Sequence, residues 1–311
     1  MIQLHQTTKM YGRVVGVNDL TINLESGAYG LIGPNGSGKT TLINLLIGHL
    51  RPTIGSVCVF DENPAVNRGV LRRIGLCPAS DVLYPNVSAL EFVKYQTRLH
   101  GISRHQCVEM AESALELVGM SHAMHRPMGT YSLGMRQRTK IAQAIAHQPD
   151  LLILDEPYNG LDPVGRADMT RLLQSWSGDG RGLLFASHVL QEVESVTSSF
   201  LLIHGGRLLA SGTASEIESM VSRAPQEIRI IGDDSPKLIR RLAEVEWVNS
   251  FSLVDERREL RVSLRDPGSF YQQLPKWISE ENLSINELRS ADGNLETLFD
   301  SLLRHHRGEA L

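Results

Sequence analysis

The sequence predicts an α/β fold: a mostly parallel sheet with helices on its faces, a helical insertion, and a small α+β domain behind them. Three observations predict it. Over the first two thirds of the 311 residues, short apolar or β-branched runs alternate with longer helical patterns. One such run, 29–32, passes directly into a glycine-rich turn and then into a helical pattern. After Gly212 the pattern changes character. Strands separated by helices imply parallel pairing, because each crossover returns the chain to the same end of the sheet.

The elements follow in order. Residues 29–32 are a short buried strand, and 40–50 a helix that Arg51-Pro52 ends, since proline cannot continue it. Residues 57–60, 151–154, 183–186, 200–204 and 207–210 are further strands. Between about 87 and 148 the chain is helical. Ser88 with Glu91 is a capping box, Gly101 closes that helix, 104–117 carries a second, and Ser132 caps a third that runs to His147 before Pro149. With no convincing strand, this stretch is an inserted helical subdomain. Residues 216–221 read as a last core helix and 222–225 as a linker. From 226 the order is strand (227–231), helix (236–245), strands (248–254 and 259–264), helix (268–279), strand (283–288) and helix (295–303). That βαββαβ order fits a small ferredoxin-like domain. The expected division is 1–221 and 226–311.

Composition narrows the function classes. Lys plus Arg total 31 and Asp plus Glu 35, a net charge of −4, which argues against a protein built to grip nucleic acid through its phosphates. Cys58, Cys77 and Cys107 have no paired spacing, so neither a disulfide framework nor a cysteine zinc site is expected. The N-terminus lacks the apolar run of a secretory signal, and no stretch approaches the ~18–20 apolar residues of a membrane-spanning helix. A cytoplasmic location follows, with any membrane role coming through a partner.

The sharpest signal is the run Gly33, Pro34, Asn35, Gly36, Ser37, Gly38, Lys39, Thr40, with Thr41 behind it. It satisfies G-x-x-x-x-G-K-[ST] between a strand and a helix, the setting of a P-loop. The glycines let backbone N–H groups approach phosphate oxygens, and the helix N-terminus adds partial positive charge at the same point. Lys39 reaches the β- and γ-phosphates, and the Thr40 hydroxyl sits on Mg²⁺. A second element, the apolar strand 151–154, delivers Asp155 and Glu156 to its C-terminal end, where open α/β sheets bind ligands. Asp155 is expected to help hold Mg²⁺, and Glu156 to polarise the attacking water. Together the two elements predict binding of a nucleoside triphosphate with Mg²⁺.

Further motifs, in order and spacing, resemble those of the nucleotide-binding subunit of ATP-binding cassette (ABC) transporters. The run 131–137 (Tyr-Ser-Leu-Gly-Met-Arg-Gln) is similar to the signature motif, Asn159-Gly160-Leu161-Asp162 to the D-loop, and His188 to the switch histidine. Tyr11 matches the aromatic on which adenine stacks, and 205–213 the closing hairpin. The resemblance covers about 1–220. It implies a P-loop NTPase core with an antiparallel β subdomain, an ATPase that uses ATP and Mg²⁺, and a sandwich dimer. In that dimer Ser132, Gly134 and Asp162 of one cassette face ATP held by the other, while His188 holds Glu156 and water at the γ-phosphate. It also implies separately encoded membrane subunits and a peripheral position on the inner face of the cell membrane. The C-terminal domain, with its 294–299 ending, resembles the extensions of type-two exporters. The alternative is a non-transport or weakly hydrolysing cassette ATPase that acts as a nucleotide-dependent switch.

The sequence departs from the family at Ala79, where a glutamine usually follows an apolar strand and proline, and at Leu133 and Met135 within the signature. The apolar loop 81–87 reads as a groove wall for a short helix of a membrane subunit. The pairs His122/His125 and His100/His105 imitate metal spacing, but no further ligands converge on them, so a solvated face is expected.

Overall fold

The first unit is built around two strands that carry no polar side chain before their last residues, Asp155 and Ser187. In chain order its elements are β1 (Ile2–Tyr11), β2 (Val14–Leu24), β3 (Ala28–Ile32), α1 (Lys39–Leu46), β4 (Ile54–Val59), β5 (Ile74–Cys77), α2 (Ala89–Leu99), α3 (Arg104–Leu117), α4 (Leu133–Ile145), β6 (Leu151–Asp155), α5 (Pro163–Gly178), β7 (Gly182–Ser187), α6 (Leu190–Glu194), β8 (Ser199–His204) and β9 (Arg207–Thr213). Every residue of β6 and β7 is buried. Continuous apolar runs of this kind belong to strands covered on both faces. The six-stranded sheet has the order β5-β6-β7-β3-β8-β9, parallel except for β9, which returns as a hairpin from β8. A separate antiparallel sheet has the order β2-β1-β4. The structure, a computed structural model, describes residues 1–80, 84–178, 180–213, 216, 226–254 and 259–290.

α2 and α4 start at the caps expected from the sequence, and α3 at a third serine. Ser88 and Glu91 form a reciprocal capping box at α2, and the Ser103 and Ser132 side chains accept from Gln106 N and Met135 N at α3 and α4. α1 ends at Leu46 rather than near residue 50. Gly48 takes φ +68° and its N–H bonds to Leu45 O, a left-handed closure that stops the helix before Pro52 can. Strands β1 and β2 were not singled out from the sequence. Register shifts between Leu4 and Met10, with Gln6 and Asp19 at positive φ, break the strict alternation that marks a strand.

By compactness the chain divides into Met1–Thr213 and Ala214–Leu311. The second unit contains β10 (Gln226–Ile231), α7 (Ser235–Ala243), β11 (Val248–Val254), β12 (Glu259–Leu264), α8 (Pro267–Glu281) and β13 (Glu287–Ser290). Its antiparallel sheet has the order β11-β12-β10-β13, the arrangement of a ferredoxin-like split βαβ. Alternate residues of β10 and β12 (Ile228, Ile230, Leu260, Val262, Leu264) pack on Phe270, Leu274 and Trp277 of α8. The last strand begins at Glu287, not Leu283. Leu283 instead closes α8, its N–H bonding Ile278 O behind the left-handed Asn282. The expected helices 216–221 (Glu216 apart) and 295–303 and the linker 222–225 lie outside the described residues, as do 81–83 of the apolar loop. Among the described residues no helix is long and apolar enough to cross a membrane.

Candidate functional site

The site lies at the C-terminal ends of the parallel strands. The loop after β3 wraps residues 33–38 into the N-terminus of α1, and β6 ends beside it at Asp155. The chain must fold tightly here. Gly38 has φ +109°, and a Cβ on it would lie 2.5 Å from Gly16 O, so no other residue fits. The first turn of α1 leaves N–H groups without intrahelical acceptors, aimed at the loop. Among the described residues the buried Ser37 hydroxyl also finds no partner, a polar group that an incoming phosphate oxygen would satisfy. The result is an open cleft of about 360 Å³ lined by Tyr11, 35–41, Asp155 and Glu156, with Ala79 and 14–16 completing its walls.

Two ionic groups are buried within it. Lys39 is 7% exposed and donates to Gly33 O at 2.6 Å and Pro34 O at 3.3 Å. Burial lowers its pKa, against the pull of the Glu156 and Asp155 charges. Asp155 is 4% exposed; burial raises its pKa, opposed by the Thr40 hydroxyl, which donates to Oδ2 at 3.0 Å. Thr40 and Asp155 thus offer one hydroxyl and one carboxylate side by side. That donor set suits a hard cation that takes its other ligands from phosphate and water.

Glu156 sits just beyond the strand end with φ +54°, a costly conformation for a residue with a side chain. Its carboxylate lies 4.0 Å from Lys39 Nζ, and the Nδ1 of His188, one residue past β7, approaches its two oxygens at 2.9 and 3.0 Å. An ionised carboxylate only accepts, so His188 donates from Nδ1 and its Nε2 is left facing away from Glu156. Tyr11 stands 45% exposed at the rim, its hydroxyl 3.5 Å from Thr41 Oγ1.

Ser132, Gly134 and Asp162 lie outside this cleft. They gather instead at the N-termini of α4 and α5. A Cβ on Gly134 would lie 2.9 Å from Gly160 O, and Asp162 Oδ1 accepts from Gly165 N at 2.8 Å. Ser132 is exposed, and Leu133 beside it is 61% exposed. Of the histidines, His105, His122 and His125 are exposed, but His100 is half-buried and stacks on His147 at 3.6 Å, which corrects the expected solvated face. Two residues with no role assigned from the sequence also act here: Gln137, the last residue of the signature-like run, whose Nε2 donates to Glu156 O (3.4 Å) and Pro157 O (3.0 Å), and Lys140, which reaches the carbonyls of 78–80. Their spacing of three residues puts both on one face of α4 but does not show what they bond.

Comparison with known proteins agrees with this geometry. An ABC transporter family model matches residues 17–159. The chain is 41% identical over 212 residues to a bacitracin transport ATP-binding protein of Bacillus licheniformis, covering 67% of this chain and 68% of that protein. It is 30% identical over 307 residues to a bacitracin transport ATP-binding protein of Enterococcus faecalis, covering 97% and 96%, so this likeness runs through the second unit. A solved ATP-binding subunit of an ABC transporter superposes with a TM-score of 0.65 at 26% identity, over 71% of this chain and 92% of that one. The chain therefore belongs to the ABC transporter ATPases, as an ATP-binding subunit of the kind that energises transport.

Proposed function

We propose that the chain hydrolyses ATP at a site shared between two cassettes and so powers export of a peptide antibiotic through separately encoded membrane subunits. It works as a peripheral protein on the cytoplasmic face of the membrane. The observation that carries the reading is the Glu156 carboxylate, held between Lys39 and His188 at the mouth of the phosphate cleft. Within one cassette, Tyr11 stacks on adenine, the loop N–H groups and Lys39 take the phosphates, and Thr40 and Asp155 hold Mg²⁺. The metal supplies charge neutralisation for the transferred phosphoryl group. Glu156 accepts a proton from the attacking water, while His188 fixes the carboxylate's orientation. Ser132, Gly134 and Asp162 are exposed or lie at helix N-termini away from the cleft, so they serve the nucleotide of a facing copy. The wall around 84–87, where Tyr84 is half exposed, receives the membrane subunit. Bacitracin enters as cargo class through the two relatives named for its transport.

The test is co-expression with a cognate membrane subunit. The pair is expected to co-purify, to show ATP turnover and to raise bacitracin tolerance in sensitive cells, with tolerance lost in Lys39→Ala. Turnover without tolerance would remove the cargo class. Wild-type turnover no faster than that of Glu156→Gln would favour the nucleotide-dependent switch.

A further inference from the structure

Ala79 lies on the wall of the phosphate cleft and carries no polar group to bridge it to the helical subdomain. A different side chain occupies that connection. Lys140, on α4, is 8% exposed, and its Nζ donates to the carbonyl oxygens of Pro78 (3.0 Å), Ala79 (3.3 Å) and Ser80 (3.4 Å). Three successive carbonyls matched to an ammonium with three donors form a built clamp. An apolar side chain of equal length would fill the space between α4 and the loop. Only the ammonium serves the carbonyls, and a buried lysine is costly unless so compensated.

Lys140 belongs to a polar stripe that runs from Gln137 on α4 to His147, two residues past its end. Gln137 bonds the backbone after Glu156, Gln143 Nε2 donates to Leu76 O at 2.5 Å, and the His147 ring meets Ile74 O at 3.1 Å. These positions recur every three or four residues, so they share one face of the helix. Ser132 caps the same helix, about 12 Å along its axis from Lys140. A shift of loop 78–80 on nucleotide binding would therefore reach Ser132 as a movement of one rigid rod.

We propose that Lys140 is the positioning residue that couples the phosphate cleft to the signature end of α4, holding loop 78–80 where the family relies on a glutamine side chain. This rests on the reading of the cleft as a hydrolytic ATP site. The test uses the full chain, with ATP affinity from a fluorescent nucleotide, kcat from phosphate release, and thermal melting as the folding control. Lys140→Met is expected to keep ATP affinity within about three-fold while kcat falls at least about ten-fold. Lys140→Arg, which keeps charge and donors, is expected to recover most of the turnover. Ala79→Gln added to Lys140→Met is expected to recover part of it, because the glutamine restores the missing bridge. If Lys140→Met does not fold, Lys140→Gln is read on the same scale. The inference is overturned by a kcat for Lys140→Met within two-fold of wild type, by loss of ATP affinity in step with kcat, or by failure of both rescues. A wild-type chain that binds no ATP would sink the functional reading instead, and is told apart by the first measurement.

Discussion

Lys39 illustrates how the site is poised at the level of single side chains. Its ammonium is buried, its pKa is lowered by that burial, and its hydrogen bonds go to the two carbonyls that open the loop. Such a cation is kept because an anionic ligand will compensate it. Lys39→Ala is expected to weaken ATP binding by at least about ten-fold with little loss of folding stability, read by titration with a fluorescent nucleotide. Gly38 tests the backbone rather than the charge. With φ +109° and Gly16 O 2.5 Å from any added Cβ, Gly38→Ala is expected to destabilise the fold by at least about 2 kcal/mol, measured by chemical denaturation. The phosphate loop and both carboxylates were legible because their chemistry demands fixed residue types at fixed spacing. The residues that fasten α4, Gln137 and Lys140, were not, because a side chain that bonds backbone carbonyls leaves no mark on its partners' identities.

At the scale of elements, α4 and its neighbours carry an acid-sensitive contact. His147 lies at the end of that helix, stacked on His100 and bonded to Ile74 O. Burial, with the neighbouring His100 charge, pushes its pKa down to about 4, against the Ile74 hydrogen bond. The unfolded chain therefore takes up this proton first as pH falls from about 6.5, and the folded form only near 4. The stability present above pH 6.5 is lost across that window. His147→Gln is expected to lose about 1 kcal/mol less than wild type between pH 7 and pH 5, after allowing for partial exposure, by denaturation at the two pH values. The same helices show what local signals can do. The serine caps of α2 and α4 fixed two starts, since each satisfies a helix N–H that nothing else reaches, and Ser103 caps α3 in the same way. β1 and β2 escaped notice because their irregularities interrupt the two-residue period, and the early end of α1 depended on Gly48 acting before the proline.

At the scale of the molecule, each unit has its own apolar centre. Phe270 is fully buried in the second, so Phe270→Ala is expected to cost that unit about 3–5 kcal/mol. ATP turnover should continue below its lowered melting transition, as followed by calorimetry alongside a phosphate-release assay. The parallel core was legible because β6 and β7 are apolar up to their last residues, Asp155 and Ser187. The split βαβ of the second unit was legible because β10 and β12 alternate cleanly. The facing of two cassettes is a different matter, since one chain shows only the cleft and, away from it, the exposed cap of α4. The most direct test of the central claim is therefore the mass of Glu156→Gln in solution with saturating ATP and Mg²⁺, by sedimentation. The account expects a nucleotide-dependent dimer that Ser132→Arg abolishes while ATP affinity is retained. A monomer that binds ATP fully and never associates would contradict it.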